Sequence, residues 1–307
     1  MGSGVTESGD YISESETLNN ISNLLRTSDE FQIITIAIFY TLSPKKERTP
    51  NMTGIKGYLV GDIPAQAAFT SEIVINGLPP LQDIVNQQDV QRKIMDTRPG
   101  MYLKYLPNLY DPVNGQLRSG GAYLFDTTQQ ASEYWDWTTN VFEVNNVKFW
   151  NQPLFSSSKR FVWEVIGATN FAPVDTHAVG RYQRWTYDGA NVEKELQRIY
   201  PELKRNAEDQ GAAAIWLLHS PGEKQIGIQL AFGKVEGADP EAVGHNSLAR
   251  AGSQVSLDSI FPSHIKAQKI VDRTSLFLAI WLPRSRLAGG IPQSHPMYPT
   301  LPVVQDV

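Results

Sequence analysis

Two runs, Gly100-Met101-Tyr102-Leu103-Lys104-Tyr105 and Ser119-Gly120-Gly121-Ala122-Tyr123-Leu124-Phe125-Asp126, flank the segment Asn108-Leu109-Tyr110-Asp111-Pro112-Val113-Asn114-Gly115. Aliphatic and aromatic runs separated by Asp-Pro and Asn-Gly read as a β-hairpin. Gly120-Gly121 falls inside a strand, where glycine marks a close approach of two backbones. Just beyond it, Asp126-Thr127-Thr128 offers N-cap chemistry for a helix from Gln129 to about Thr139. Phe161 to Ala168 reads as a further strand, after an aromatic segment at 142 to 155. Upstream, Leu81, Ile84, Val85 and Ile94 follow Pro79-Pro80 at nearly helical spacing, which predicts a helix over 78–95. Phe31 to Tyr40 is an apolar run closed by Ser43-Pro44 and reads as a buried strand. Turn residues dominate 45–77, so this stretch reads as an insertion or lid with weak strand candidates at 55–60 and 69–75. The order is β-α-β-β-α-β.

The second half repeats that order. His177 to Tyr187 is a strand, and Val192, Leu196, Ile199, Leu203 and Ala207 share one face of a helix over 191–210, ended by Gly211. A second hairpin, 212–219 with 225–235, turns at Ser220-Pro221-Gly222-Glu223. Asp239-Pro240 opens a weaker helix, and 268–282 is a long final strand ending at Pro283. A βαββαβ unit leaves one sheet face bare, so two units in one chain can cover each other. The expected fold is α+β: two ferredoxin-like βαββαβ domains forming an intramolecular pseudo-dimeric α+β barrel. The domains span 28–172 and 173–283, between a flexible segment at 1–27 and a tail at 284–307. A small ligand is expected in the cavity between the sheets.

Composition narrows the partners. Over 307 residues, 27 Lys+Arg against 32 Asp+Glu leave a net charge of -5, without the basic excess that holds a nucleic-acid backbone. A hydrophobic share of 41% is enough for a real core and excludes disorder throughout. No cysteine is present, which removes disulfides, thiolate ligands and Cys nucleophiles. No apolar run reaches the ~20 residues of a membrane span, and no secretory signal is visible, so a soluble cytoplasmic protein is expected. Met1-Gly2-Ser3-Gly4-Val5-Thr6 fits the myristoylation pattern but reads as a plain flexible terminus. His177, His219, His245, His264 and His295 show no metal-ligand spacing. With no phosphate loop and no nucleophile elbow either, no metal or cofactor is expected.

The hairpin quoted above, followed by Ala131 and Tyr134 in the next helix, resembles the hallmark of the YdhR-like mono-oxygenase family of dimeric α+β barrel proteins. The resemblance covers about residues 100–150; the second half resembles the wider superfamily in element order alone, and the insertion at 45–77 departs from its short members. It implies a fold more than a reaction, because that superfamily hosts mono-oxygenases, polyketide cyclases, dehydratases and binding proteins. A homodimer is a further possibility.

Few side chains remain for chemistry. In His177 to Trp185, period-two alternation puts His177, Arg181 and Trp185 on one face and Tyr182 and Arg184 on the other. If the first set faces inward, an imidazole, a guanidinium and an indole can hold a carbonyl or carboxylate; the bland alternative is an edge strand with a solvated Arg. Tyr105 and Tyr123 can donate phenol hydrogen bonds or serve as core tyrosines. The expected catalytic residues are therefore Tyr105, Tyr123, His177 and Arg181, with Trp163, Trp185, Trp216 and His219 against the substrate. An aromatic cavity with few titratable groups suits cofactor-free cyclisation, including Diels–Alder-type cycloaddition, of an apolar terpenoid or polyketide. The alternatives are cofactor-independent mono-oxygenation with His177 or His219 as base, and a non-catalytic carrier.

Overall fold

The computed structural model describes residues 60–77, 79, 83, 91, 97–110, 115–254 and 260–283. The strand expected at 31–40, both terminal segments and most of the 78–95 helix lie outside them. In chain order the elements are β1 (Gly61–Asp62), β2 (Ala67–Ile75), β3 (Met101–Tyr110), β4 (Leu117–Phe125), α1 (Thr128–Asn140), β5 (Glu143–Val144), β6 (Val147–Lys148), β7 (Phe155–Asn170), β8 (His177–Thr186), α2 (Val192–Asp209), β9 (Ala214–Ser220), β10 (Gln225–Gly233), α3 (Pro240–Ser253) and β11 (Gln268–Trp281).

Local chemistry sets the ends. The Thr127 side chain caps α1 by accepting from the Gln130 N–H at 3.2 Å, and Asp239 caps α3 by accepting from that of Ala242 at 2.8 Å. Gly211, at φ +78°, turns the chain after α2. The helix α2 buries Val192, Leu196, Ile199, Leu203 and Ala207, the stripe read from its periodicity.

The long strands are antiparallel neighbours in the order β7-β2-β4-β3-β11-β8-β10-β9, and β9 pairs back onto β7. The result is a closed barrel. Its halves, β7-β2-β4-β3 and β11-β8-β10-β9, each follow the order fourth, first, third, second, as βαββαβ units do. The seams are β3 with β11 and β7 with β9. The α+β barrel expected from the sequence is the fold observed.

One expectation is corrected. Residues 67–75 are not part of an insertion: β2 lies between β4 and β7 as the first strand of its half. Its sequence, Ala-Ala-Phe-Thr-Ser-Glu-Ile-Val-Ile, carries polar side chains into the barrel, which masks the apolar run of a buried strand.

Alternation along each strand separates a lumen from an outer face. Tyr105, Trp163, Trp216 and Phe277 meet in the lumen, each under 2% exposed. Phe277 and Trp216 stack on opposite strands against Tyr105, with centroids at 4.3 and 5.1 Å. Burying each such ring stabilises the barrel by about 3 kcal/mol. On the outside, α2 and α3 cover the second sheet. The first is covered by α1 and an aromatic layer that includes Trp135, Phe142, Phe149 and Trp150.

Candidate functional site

The lumen, expected to be the ligand cavity, is filled. Beside its aromatic stack lies a cavity of about 10 Å³, one water's worth. A terpenoid or polyketide has no room in it. Tyr105 and His177 do meet in it, Oη to Nδ1 at 2.7 Å. The His177 Nε2–H donates to the Ala172 carbonyl at 3.1 Å, so Nδ1 accepts the Tyr105 hydroxyl. Burial pushes the imidazole down to about 4 and the phenol up. The pair is sealed and neutral. Trp163 is likewise committed, its indole N–H donating to Thr70 Oγ1 at 2.8 Å.

The faces of β8 are not those of simple alternation. His177 pairs with Gly233 but Val179 pairs with Phe232, so Ala178 is an extra residue that moves His177 to the face opposite Arg181. Inward from β8 point His177, Tyr182 and Arg184. Arg181 and Trp185 point outward: Arg181 grips Asp272 through Nε and Nη2 at 2.8 and 2.9 Å and donates to the Gln254 carbonyl, and Trp185 packs on Phe261. His219 is also outside the lumen, accepting from or donating to the Tyr187 hydroxyl at 2.9 Å, with Glu164 at 3.6 Å from its Nδ1. Burial lowers its pKa against the pull of Glu164 and Glu193. Trp216 belongs to the lumen stack. The eight side chains expected at one site are thus spread over the lumen and three outer positions.

The larger cavity, about 70 Å³ and several waters' worth, lies outside the barrel. Its floor is the outer face of β2, β3 and β4, carrying Ser71, Ile73, Lys104, Leu106, Asn108, Ser119 and Tyr123. Phe149, Trp150, Leu154 and Phe155 form one wall, and Pro79 and Gln91 contribute from the segment before β3. Of the expected residues, Tyr123 alone is here. Gly121 makes room for it, since a Cβ on Gly121 would lie 2.3 Å from the Tyr123 ring. Its hydroxyl is hydrogen-bonded to Tyr134, and burial raises its pKa.

Lys104 is the unexpected feature. The residue is 2% exposed, and its Nζ sits 3.3 Å from the Trp281 ring centroid and 5.0 Å from that of Tyr123. Among the described residues no carboxylate pairs with it, and burial holds its pKa well below the usual lysine value. Burial thus favours the neutral amine at the floor of this cavity, against the Trp281 ring, which favours the charged one. The Trp150 indole N–H, on the wall, is buried and has no hydrogen-bond partner among the described residues. The sequence signal was a lysine inside the otherwise apolar run 101–106.

Among the described residues no group of His, Asp and Glu has the arrangement of a metal site, and no helix is long and apolar enough to cross a membrane.

Fold and cavity together define the class: a single-chain α+β barrel with a cavity between its first sheet and an aromatic cover. No family model and no curated protein matches the chain. Solved structures similar to it include a candidate monooxygenase from Fusobacterium nucleatum, 9% identical, covering 71% of this chain and 94% of that one, with a TM-score of 0.41. An anthrone oxidase-like protein is 8% identical over 73% and 96%, with a TM-score of 0.44. A Listeria monocytogenes ferredoxin-fold protein related to antibiotic biosynthesis monooxygenases is 9% identical over 68% and 95%, with a TM-score of 0.30. Likeness this distant bears on neither substrate nor activity.

Proposed function

We propose that this chain is a cofactor-free enzyme acting on a small, largely apolar molecule in the outer pocket, and that its reaction is mono-oxygenation with Lys104 as the base. The observation that carries this reading is the buried Lys104 amine, without a carboxylate among the described residues, at the floor of that pocket. In its neutral form the amine takes a proton from an activated methylene or phenol of the ligand. The resulting carbanion or phenolate is electron-rich enough to meet dioxygen directly. For a methylene the balance is R₂CH₂ + O₂ → R₂C=O + H₂O, and the substrate supplies all four electrons. Tyr123 and the aromatic wall orient a planar ligand, and the Trp150 N–H is available to its carbonyl. Cyclisation, the reading favoured by the sequence, depended on an open aromatic lumen and has no support in a filled one. His177 and His219 give way to Lys104 as the base, the first because it is sealed in the lumen, the second because it lies on another face.

The test is turnover of a panel of small ketones with activated methylenes and of monocyclic phenols with labelled dioxygen. The expected product gains one labelled oxygen for two hydrogens lost, and Lys104→Met lowers kcat/KM by about 10²–10⁴-fold, the worth of a general base. Undiminished turnover under strict anaerobiosis refutes oxygenation. A carrier, the second reading, is favoured by tight binding that survives without any change in ligand mass.

A further inference from the structure

The outer pocket contains an amine whose surroundings suit bond formation as well as proton transfer. Lys104 is 2% exposed, and among the described residues it makes no hydrogen bond and no ion pair. Strand register supplies its neighbours: Trp281 lies opposite it on β11 and Tyr123 opposite it on β4. Their rings, with centroids 3.3 and 5.0 Å from Nζ, cover the amine on two sides. The remaining approach is from the cavity, which Lys104 lines together with Phe149, Trp150 and Phe155.

The chemistry of the occupant follows from that setting. An ammonium group here has only ring faces to lean on, and a ring attracts a cation without cancelling its charge. Burial opposes that charge and so leaves the nitrogen lone pair available. A carboxylate or phosphate ligand sheds its own hydration to enter an apolar cavity, at high cost. A neutral carbonyl compound enters without that cost, and its carbon is the electrophile that an amine attacks. The volume of about 70 Å³ limits it to a small one.

We infer that Lys104 binds small aldehydes and ketones covalently, as an imine on Nζ. The Nζ lone pair forms the C–N bond as the carbonyl π pair moves to oxygen. A proton passing from nitrogen to oxygen gives the carbinolamine, and loss of water gives the imine. The sum is Lys104–NH₂ + O=CR₂ → Lys104–N=CR₂ + H₂O, with no change of oxidation state. The near-complete burial of Lys104 keeps bulk water from the product, which favours the imine over its hydrolysis. This inference rests on the proposed function for its cavity and its neutral amine, and it involves no dioxygen.

Anaerobic incubation of the full chain with pentane-2,4-dione at neutral pH tests this. A 1,3-diketone condenses with an amine to an enaminone that is stable without a reductant and absorbs in the near ultraviolet, so the adduct can be counted and then located by peptide mapping. The expected result is a single adduct per chain, heavier by the diketone less one water, on the peptide that carries Lys104. It should form at least about tenfold faster than on any exposed lysine, since an ordinary lysine is neutral only to the order of one part in 10³ at pH 7. Lys104→Met removes that adduct. Labelling spread over exposed lysines with Lys104 unmodified, or undiminished labelling in Lys104→Met, overturns the inference; should that variant fail to fold, the peptide map of the wild-type chain decides. Tight calorimetric binding of butyrate, with no diketone adduct at Lys104, also overturns it and makes the cavity an anion site. The two readings separate cleanly: oxygenation of phenols without any adduct overturns this inference and leaves the proposed function standing, and an adduct without oxygen uptake does the reverse.

Discussion

Lys104 and His177 are both buried and both hold pKa values below their ordinary ones, and each leaves a signature in the pH dependence of stability. For Lys104 the unfolded chain titrates near the ordinary value of about 10.4, while burial holds the folded value well below it. Between the two, the unfolded state binds the extra proton, so stability rises with pH across that window and the full penalty applies below it. Lys104→Met is expected to be more stable than wild type at neutral pH, with the gap closing as pH rises. Urea midpoints of the two proteins across that range check it; a variant less stable at every pH would mean the amine is held by an acceptor. For His177 the window is acidic: with a folded pKa of about 4 against 6.5, protonation favours unfolding as pH falls through this interval. The loss is bounded by about 3 kcal/mol from linkage. His177→Gln should flatten that limb of the stability curve while leaving the alkaline limb, which belongs to Lys104, in place.

At the scale of elements, Gly120 and Gly121 do separate jobs on β4. A Cβ at Gly120 would lie 2.3 Å from the Ser71 carbonyl oxygen, which is backbone and cannot yield unless β2 and β4 part. A Cβ at Gly121 would meet the Tyr123 ring, which packs on Phe69 and Tyr134 beside Lys104. Gly120→Ala is therefore expected to cost about 1–3 kcal/mol of stability, the range of overpacking. Gly121→Ala should cost less stability and more ligand affinity, because the ring that moves lines the pocket. Denaturation and ligand titration of both variants separate the two; a larger affinity loss in Gly120→Ala would reverse the assignment. These hairpins and α2 were legible because caps, turn residues and periodicity are local. The inward face of β8 was not, because the extra residue at Ala178 shifts the alternation and carries no Gly or Pro to mark it. Nor was β2, whose Glu72 reads as a surface residue until Arg184, 112 positions away, is found against it. Lys104 was hidden for the same reason: its platform, Trp281, arrives from the far end of the chain.

For the whole molecule, the lumen is the argument that the two halves are one folding unit. Tyr105 and Trp163 come from the first half, and His177, Trp216 and Phe277 from the second. The Tyr105–His177 hydrogen bond, the Tyr105 stack on Phe277 and Trp216, and the Arg184–Glu72 pair all cross between them. Each half alone would present its lumen face to water, as well as a buried glutamate or arginine without its counter-ion. The link between β7 and β8 is short, with its 3₁₀ turn at Val174–Thr176, and it holds the halves at an effective concentration on the order of millimolar. Cutting the chain in this link is expected to leave two fragments that are expanded or aggregated alone, by circular dichroism and size exclusion. Mixed, they should form a one-to-one complex with the native spectrum. A fragment that folds alone as a monomer would show that barrel closure is docking of finished domains. A fragment that pairs with itself would show that seam hydrogen bonding outweighs the complementary lumen, since such a homodimer lacks the Tyr105–His177 and Arg184–Glu72 contacts.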